Sequence, residues 1–200
     1  MNLVDLSVPL NEGTPVYPGD PPIKIETAGV FAKDGYNDHN FSFGTHVGTH
    51  IDAPLHMIDG GKTLDQIPVD QFVGRGRLVE GLELTAVKQA NIEAGDIVLF
   101  HTGMIQKYHD DSYFKDYPEI SEEVANYLVE KKVKIVGVDM CSPDHPPFKI
   151  HRILLGASVL IMENLTNLHE LVGKEFTIYA LPIKFQLDGA PARVIARIEE

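Results

Sequence analysis

The sequence predicts a single α/β domain, residues 1–200, in which a mixed sheet is flanked by helices. Three observations support this prediction. Continuous apolar runs such as 97–100 and 133–140 are typical of strands that are buried on both faces. Helical patterns are few and lie between such runs. A length of 200 residues suits one domain with a substantial core.

The first half of the chain predicts short strands around a proline-rich loop. Strands are expected at 2–10, 23–28 and 40–43. Segment 11–22 is expected to be a loop, because it holds four prolines and two glycines. Segment 45–52 carries a β-branched residue at every second position, which predicts a further strand.

The second half of the chain alternates helices with buried strands. Ser121 can cap a helix that runs to about Lys132, with acidic residues in its first turn and lysines in its last. Three prolines then force a loop at 143–147. The remaining predicted elements are helices at 84–90 and 151–155 and strands at 97–100, 133–140, 157–162, 176–181 and 192–198.

Three imidazoles and a carboxylate fall within eleven residues, on His46, His50, Asp52 and His56. Imidazole and carboxylate are ligands that zinc and manganese accept. Interrupting glycines, a proline and four β-branched residues argue against a helix, on which His46 and His50 would form an i, i+4 pair. On a strand, side chains 46, 48, 50 and 52 share one face. Gly48 would leave room on that face for an ion.

The pattern therefore predicts a metal site on a strand, with His46, His50 and Asp52 as ligands. A single histidine is more often a satisfied polar residue than a ligand. Three such groups on one face, beside a small residue, favour an ion instead. His56 follows Pro54, which ends strand pairing and turns the chain. His56 can therefore approach the site from another direction, or it can simply be solvated.

A second candidate group consists of His151 and Glu163. Glu163 follows an apolar run, where a carboxylate is costly unless it is paired or bound to metal. From spacing alone, the simpler interpretation of Glu163 is an exposed residue where the strand leaves the core, and that of His151 is a residue near a helix start. Asp139 and Asp144 lie near the loop at 143–147, where acidic residues are common, and they are not predicted as ligands.

Composition narrows the classes of function. A formal net charge of −12 argues against nucleic acid and anionic membranes as partners. The single cysteine, Cys141, rules out an internal disulfide framework and fits a reducing compartment, with a packing role expected for its side chain. The first residues do not resemble a signal peptide, and no run reaches the ~20 apolar residues of a membrane helix. We therefore expect a cytoplasmic protein.

Segment 46–56 resembles a family signature, His-x-Gly-Thr-His-x-Asp-x-Pro-x-His. This signature is that of the cyclase family, which includes bacterial kynurenine formamidases and isatin hydrolases. The closing motif Asp-Gly-Ala-Pro-Ala-Arg is similar to that family's Asp-Gly-Ser-Pro-x-Arg. The likeness spans nearly the whole chain, through segments 16–20, 151–155, 163–165, 181–183 and 188–193.

The resemblance implies a swivelling β/β/α fold and a site for two divalent ions, either zinc or manganese. His46, His50 and Asp52 would bind one ion. Asp52 and Glu163 would bridge to a second ion, which His151 would also hold. A homodimer or homotetramer is implied as well.

The implied activity is that of a metal-dependent amidohydrolase with a small-molecule amide substrate. We expect an arylformamidase that converts N-formylkynurenine to kynurenine and formate. His56 would serve as general base and then as general acid, rather than as a ligand. The Gly-x-Ser-x-Gly motif of serine hydrolases is absent from the sequence.

Two departures from the family pattern bear on the substrate. Tyr17 stands where the formamidases carry an aromatic that contacts substrate, typically Trp; alternatively, Tyr17 packs inside its proline-rich loop. His101 stands where the formamidases tend to carry Arg, which weakens pairing with a substrate carboxylate. Hydrolysis of another cyclic amide or of a lactone is therefore an alternative. A metal-binding module without turnover is another, although such a module has no use for a free His56.

Overall fold

The β-rich segments of the chain form ten strands in the computed structural model, which describes residues 2–199. The strands are β1 (Asn2–Asp5), β2 (Lys24–Gly29), β3 (Asp38–Ser42), β4 (His50–Asp52), β5 (Val73–Glu80), β6 (Ile97–His101), β7 (Ile135–Val138), β8 (Leu160–Glu163), β9 (Phe176–Pro182) and β10 (Gly189–Ile198). The helices are α1 (Phe31–Asp34), α2 (Leu84–Gln89), α3 (Glu122–Glu130) and α4 (Lys149–Gly156). No helix among the described residues is both long and apolar enough to span a bilayer.

Eight of the strands form one mixed sheet that closes into a barrel-like arrangement. Strands β5, β6, β7 and β8 are parallel neighbours. Strand β4 joins β8 to β10, and β9 joins β10 to β5, all in antiparallel pairs. Strand β1 adds to β10 at the outside. The predicted α/β class with a mixed sheet is confirmed, and the barrel-like closure is what the sequence did not reveal.

Alternation along the strands divides the core into two layers. Ile97 and Leu99 of β6 face the barrel interior, whereas Val98 and Phe100 of the same strand pack toward the helices. All four are completely buried, as expected for parallel strands that are covered on both faces. The cluster on the helix side includes Leu128 of α3. The helices therefore lie on one side of a filled barrel.

Three strand predictions need correction. The strand expected at 2–10 ends at Asp5, and the strand expected at 45–52 covers only His50–Asp52. Strand β5 was not predicted, because arginines and glycines interrupt its apolar pattern. Its arginines Arg75 and Arg77 both pair with Asp96. The predicted helix cap is present, since the Ser121 hydroxyl accepts a hydrogen bond from the amide of Val124 at 3.2 Å.

A separate antiparallel hairpin, β2–β3, projects from the barrel sheet. Most of its residues are exposed, in contrast to those of β6, β7 and β8. The segment between its strands carries the exposed aromatic side chains of Phe31 and Tyr36.

Candidate metal centre

The histidine-rich segment is a turn followed by a short strand. Gly48 has a φ of +58°, a left-handed conformation that glycine adopts without steric cost. A Cβ at this position would also collide with the side chain of Leu10. The predicted role of Gly48, to leave room for an ion, is therefore wrong. Glycine is required here by the left-handed backbone and by the nearby Leu10 side chain, which leaves no space for a Cβ. His46 consequently reaches Asp52 from a turn, not along a strand face.

Strand pairing places the inner group of side chains. Strand β4 pairs with β8 so that His50 lies opposite Glu163. His50 Nε2 lies 3.3 Å from Glu163 Oε2 and 3.4 Å from Asp52 Oδ1. His151, on α4, brings its Nε2 within 3.4 Å of Glu163 Oε1 and 3.7 Å of Asp52 Oδ2. These four side chains are almost entirely buried, and each of the two carboxylates lies near both imidazoles.

The inner group fits a metal ion. His50 Nε2 and Asp52 Oδ2 are buried among the described residues without any hydrogen-bond partner. Such groups are costly to bury unless something satisfies them. A tetrahedral ion with bonds of ~2.0–2.1 Å separates its ligands by about 3.3 Å, which is close to the distances between these side chains. His50, Asp52 and Glu163 are accordingly arranged as a set of three metal ligands.

On the side away from the centre, each inner imidazole is hydrogen-bonded, one to a backbone carbonyl oxygen and the other to a carboxylate. His50 Nδ1 lies 2.8 Å from the carbonyl oxygen of Gly48, and His151 Nδ1 lies 2.6 Å from Asp144 Oδ1. Each imidazole therefore donates through Nδ1, which leaves Nε2 facing the centre. This arrangement is common for metal-binding histidines. Asp144 was not predicted as a ligand, and the structure places it behind His151 rather than among the ligands.

An outer group lies beside the inner one and shares Asp52 with it. His46 Nδ1 is 2.7 Å from Asp52 Oδ1, and His46 Nε2 is 2.8 Å from Asp188 Oδ2. The ring of His56 lies against that of His46, with 3.8 Å between centroids. His46, Asp52 and His56 make a second set of three that could hold an ion. His56 Nδ1 also approaches Asp188 Oδ2, at 3.6 Å.

Sequence reasoning did not assign a role to Asp188. It lies 142 residues from His46 along the chain, so no local spacing connects the two. The available signal was its place in the closing Asp-Gly motif. The start of β10 pairs with β4, which brings this motif to the histidine-rich segment.

The buried carboxylates of the centre keep neighbouring imidazoles in their protonated, positively charged form. Burial lowers the pKa of His50, but Asp52 and Glu163 outweigh burial and raise that pKa to about 10. Burial likewise lowers the pKa of His46, and Asp52 with Asp188 raises it to about 9. Burial favours the neutral carboxyl of Asp52, yet the adjacent imidazoles hold its pKa well below the usual range. Divalent ions would supply the same positive charge that these protons supply.

His56 behaves differently from the other histidines of the centre. Burial is the largest influence on its imidazole and lowers its pKa below the ordinary 6.5, despite the nearby carboxylates. His56 is therefore neutral at pH 7 and can accept a proton. It belongs to a short helical turn, Pro54–His56, that is separated from the end of β4 by one residue.

The centre forms the floor of a cavity of about 280 Å³. Tyr17 lines this cavity, as its predicted substrate contact requires, and its ring meets Phe114 edge to face at 5.9 Å. Cys141 also lines it, but burial raises the pKa of its thiol, which makes a thiolate nucleophile unfavourable. His101, at the end of β6, is not among the residues that line the cavity.

A family model described as "Putative cyclase" matches residues 4–145 of the chain. The matched region includes the histidine-rich segment and most of the cavity. The chain belongs to this family. The resemblance noted in the sequence is thereby confirmed, and the fold of its structural relatives agrees with the barrel-like sheet described above.

Three relatives indicate the chemistry of the family. The kynurenine formamidase of Bacillus cytotoxicus is 30% identical over 207 residues, which cover 97% of this chain and 96% of the relative. Isatin hydrolase A from Labrenzia aggregata, solved with benzyl benzoate bound, has a TM-score of 0.89 and 26% identity, covering 100% of this chain and 94% of that one. A structure described as a potential metal-dependent hydrolase with cyclase activity has a TM-score of 0.83 and 30% identity, covering 100% and 98%. These relatives support a metal-dependent hydrolase.

Proposed function

We propose that this chain is a metal-dependent amidohydrolase that cleaves an aryl amide, with arylformamidase activity on N-formylkynurenine as the first activity to measure. The observation that carries the proposal is the cluster of His50, His151 and two buried carboxylates, with His46 bound to the shared Asp52, at the floor of an aromatic cavity. The relationship to a kynurenine formamidase supports the reaction class.

In this proposal five side chains hold two divalent ions, zinc or manganese: His46, His50, Asp52, His151 and Glu163. Nitrogen and oxygen ligands of this kind accept either metal. When bound, such ions lower the pKa of water to roughly 7 and polarise a carbonyl group. The partnerless atoms His50 Nε2 and Asp52 Oδ2 support this assignment.

His56 is proposed as the proton-transfer residue. It lines the cavity and is neutral at pH 7, so it can take a proton from the attacking water. The resulting imidazolium can then give that proton to the departing aryl amine, which completes hydrolysis. Asp188, 3.6 Å from His56 Nδ1, would orient the ring and stabilise its charged form.

Hydrolysis of a cyclic amide is the second candidate. The likeness to isatin hydrolase A favours it, since that relative has the highest TM-score among the structures compared above. Its bound benzyl benzoate is an aromatic ester, which supports an aromatic substrate in either case. A metal-binding module without turnover is the remaining alternative. The position of His56 in the cavity argues against it, because binding alone does not require a neutral proton acceptor.

The test is metal analysis combined with a substrate panel. The purified protein should contain close to two divalent ions per chain and should release formate from N-formylkynurenine or open the ring of isatin. Metal content near zero after zinc and manganese are added back would refute the site. Two bound ions without turnover of any formamide, cyclic amide or lactone would favour the binding module.

We also propose that the chain forms a homodimer or homotetramer. An isolated two-stranded hairpin is marginal in water, and β2–β3 is such a hairpin with Phe31 68% exposed nearby. A second copy of the chain would cover it. Light scattering after gel filtration should give a multiple of the 22.1 kDa chain mass. A monomer at micromolar concentration would contradict this proposal.

A further inference from the structure

The cavity wall above the metal centre is apolar and aromatic. Phe114, Phe148, Tyr17 and Met57 line it, and Asp20 adds an exposed carboxylate. Among the described residues that line the cavity, none is a lysine or an arginine. The charged side chains of the lining, apart from the histidines, are all acidic.

The polar side chains deeper in the cavity are already engaged within the protein. The amide nitrogen of Asn164 donates to the carbonyl oxygen of Gly48 at 2.9 Å. The Ser142 hydroxyl donates to the carbonyl oxygen of Asp144 at 2.8 Å. A carboxylate on the part of a substrate that lies against this wall would therefore find no lysine or arginine to pair with, and Asn164 and Ser142 already donate within the protein.

The backbone conformation of Phe148 indicates that the fold holds this part of the aromatic wall in place. Phe148 has φ 59° and ψ 52°, a left-handed conformation that is rare and unfavourable for a bulky residue. In this conformation its ring meets that of His151 edge to face, with 5.7 Å between centroids. The fold thus maintains an unfavourable backbone geometry where an aromatic side chain faces the cavity.

Resting on the proposed amide hydrolysis, we infer that the preferred substrate is an aryl amide whose ring substituents carry no carboxylate. N-formylkynurenine, whose side chain ends in a carboxylate, would then be a poorer substrate than an uncharged aryl formamide. Aromatic faces are electronegative, so they favour an apolar ring or a cation and disfavour an anion. Burying a carboxylate without a partner is costly, and Asp20 would repel it. A volume near 280 Å³ is at the small end for ligand cavities, which suits a single or fused ring.

A matched series of formamides tests this inference on the metal-loaded protein. The series is formanilide, its 3-carboxylate and its 3-aminomethyl derivative, which differ in charge at one ring position. We expect kcat/KM for the carboxylate to be at least about tenfold below that of the other two. Equal or faster turnover of the carboxylate would overturn the inference, including the case in which a partner subunit supplies a cation.

Two charge-reversal variants locate the selectivity. Asp20→Lys should raise kcat/KM for the carboxylate about tenfold relative to formanilide, because it replaces repulsion at the cavity with attraction. Glu130→Lys is the matched control: it makes the same charge change on exposed α3 surface outside the cavity lining and should leave the ratio unchanged. The same shift in both variants would contradict the assignment to Asp20.

A binding measurement separates this inference from the proposed reaction. Acetophenone and 3-acetylbenzoate contain no bond that hydrolysis can cleave. Calorimetry on both the metal-loaded and the metal-free protein separates the effect of the cavity wall from binding of the carboxylate to an ion. We expect acetophenone to bind at least about tenfold more tightly. If no formamide is turned over while this preference holds, the proposed reaction fails and the inference about charge stands. If 3-acetylbenzoate binds equally or more tightly, the inference fails whatever the turnover.

Discussion

The inner and outer groups of the metal centre have similar chemistry but very different support. His50, His151 and Glu163 have side chains that are only 2–7% exposed, on elements that are packed into the sheet or against it. His46, His56 and Asp188 are 20–33% exposed and lie on turns and loops. Only Asp52, 1% exposed, belongs to both groups.

This difference suggests a division of labour within one centre. Strand pairing and the hydrogen bonds behind His50 and His151 fix the inner donors, as permanent ion binding requires. The outer residues are partly open to the cavity, as substrate contact and proton transfer require. Four predictions test this contrast, in order of decreasing expected effect.

Removing Asp52, the carboxylate that the two groups share, should impair both groups at once. In Asp52→Asn, both groups lose an anionic ligand, so we expect loss of both ions and a fall in kcat of more than about 10⁴-fold. Metal analysis and steady-state kinetics measure the two effects. Retention of one ion with turnover within tenfold of wild type would show that the groups do not depend on Asp52 together.

Replacing His56 should separate chemistry from metal binding. His56→Ala should lower kcat by about 10²–10⁴-fold, the usual contribution of a general acid–base group, while metal content stays near that of wild type. His50→Ala is the matched control and should lose metal. If His56→Ala loses an ion as well, His56 is a ligand of the outer group, as its place beside His46 and Asp52 allows.

The carboxylates behind the two groups should differ in their effect on ion affinity. Asp144→Asn removes the charge that holds the buried His151, so we expect ion affinity to fall by about 10–100-fold. Asp188→Asn acts on a more exposed histidine and should cost less than about tenfold. Competition with a chromogenic chelator measures both. A larger loss in Asp188→Asn would reverse the proposed ranking of the two groups.

The pH dependence of stability should differ between the metal-free and the loaded protein. The raised pKa values of His46 and His50 give the metal-free protein stability that is fully present below pH 6.5. This stability is lost as pH rises through about 9 and 10. Ions replace those protons, so the loaded protein should lose less stability over the same range. Calorimetric melting between pH 6.5 and 10 tests this; parallel curves for the two forms would contradict it.

The sequence predicted which of these side chains come together better than it predicted their geometry. Local spacing was enough to select His46, His50 and Asp52, because all three lie in one short segment. Alternating β-branched residues favoured a continuous strand there, and the left-handed turn at Gly48 overrides that preference. Asp188 reaches the site through pairing between distant strands, which the spacing of residues in a single sequence does not encode.

Because long-range pairing is not encoded in local spacing, the fold was also predicted only in part. Buried runs such as 97–100 identify strands by hydrophobicity alone, and β6 follows. Strand β5 was not predicted, because Arg75 and Arg77 introduce charge into it. Asp96, which lies outside the strand, compensates that charge. Closure of the barrel depends on β9 and β10 pairing with each other and with strands formed far earlier.

Strand β10 has a consequence for when the centre can form. Its residues 189–191 pair with β4, while 192–198 pair with β9. During translation the histidine-rich segment leaves the ribosome long before its neighbour β10 exists. The nascent chain therefore presents imidazoles and a carboxylate without the geometry that selects an ion. Metal acquisition should accordingly follow release of the finished chain, and a pulse of radioactive zinc should label completed protein but not ribosome-bound fragments that end before residue 189.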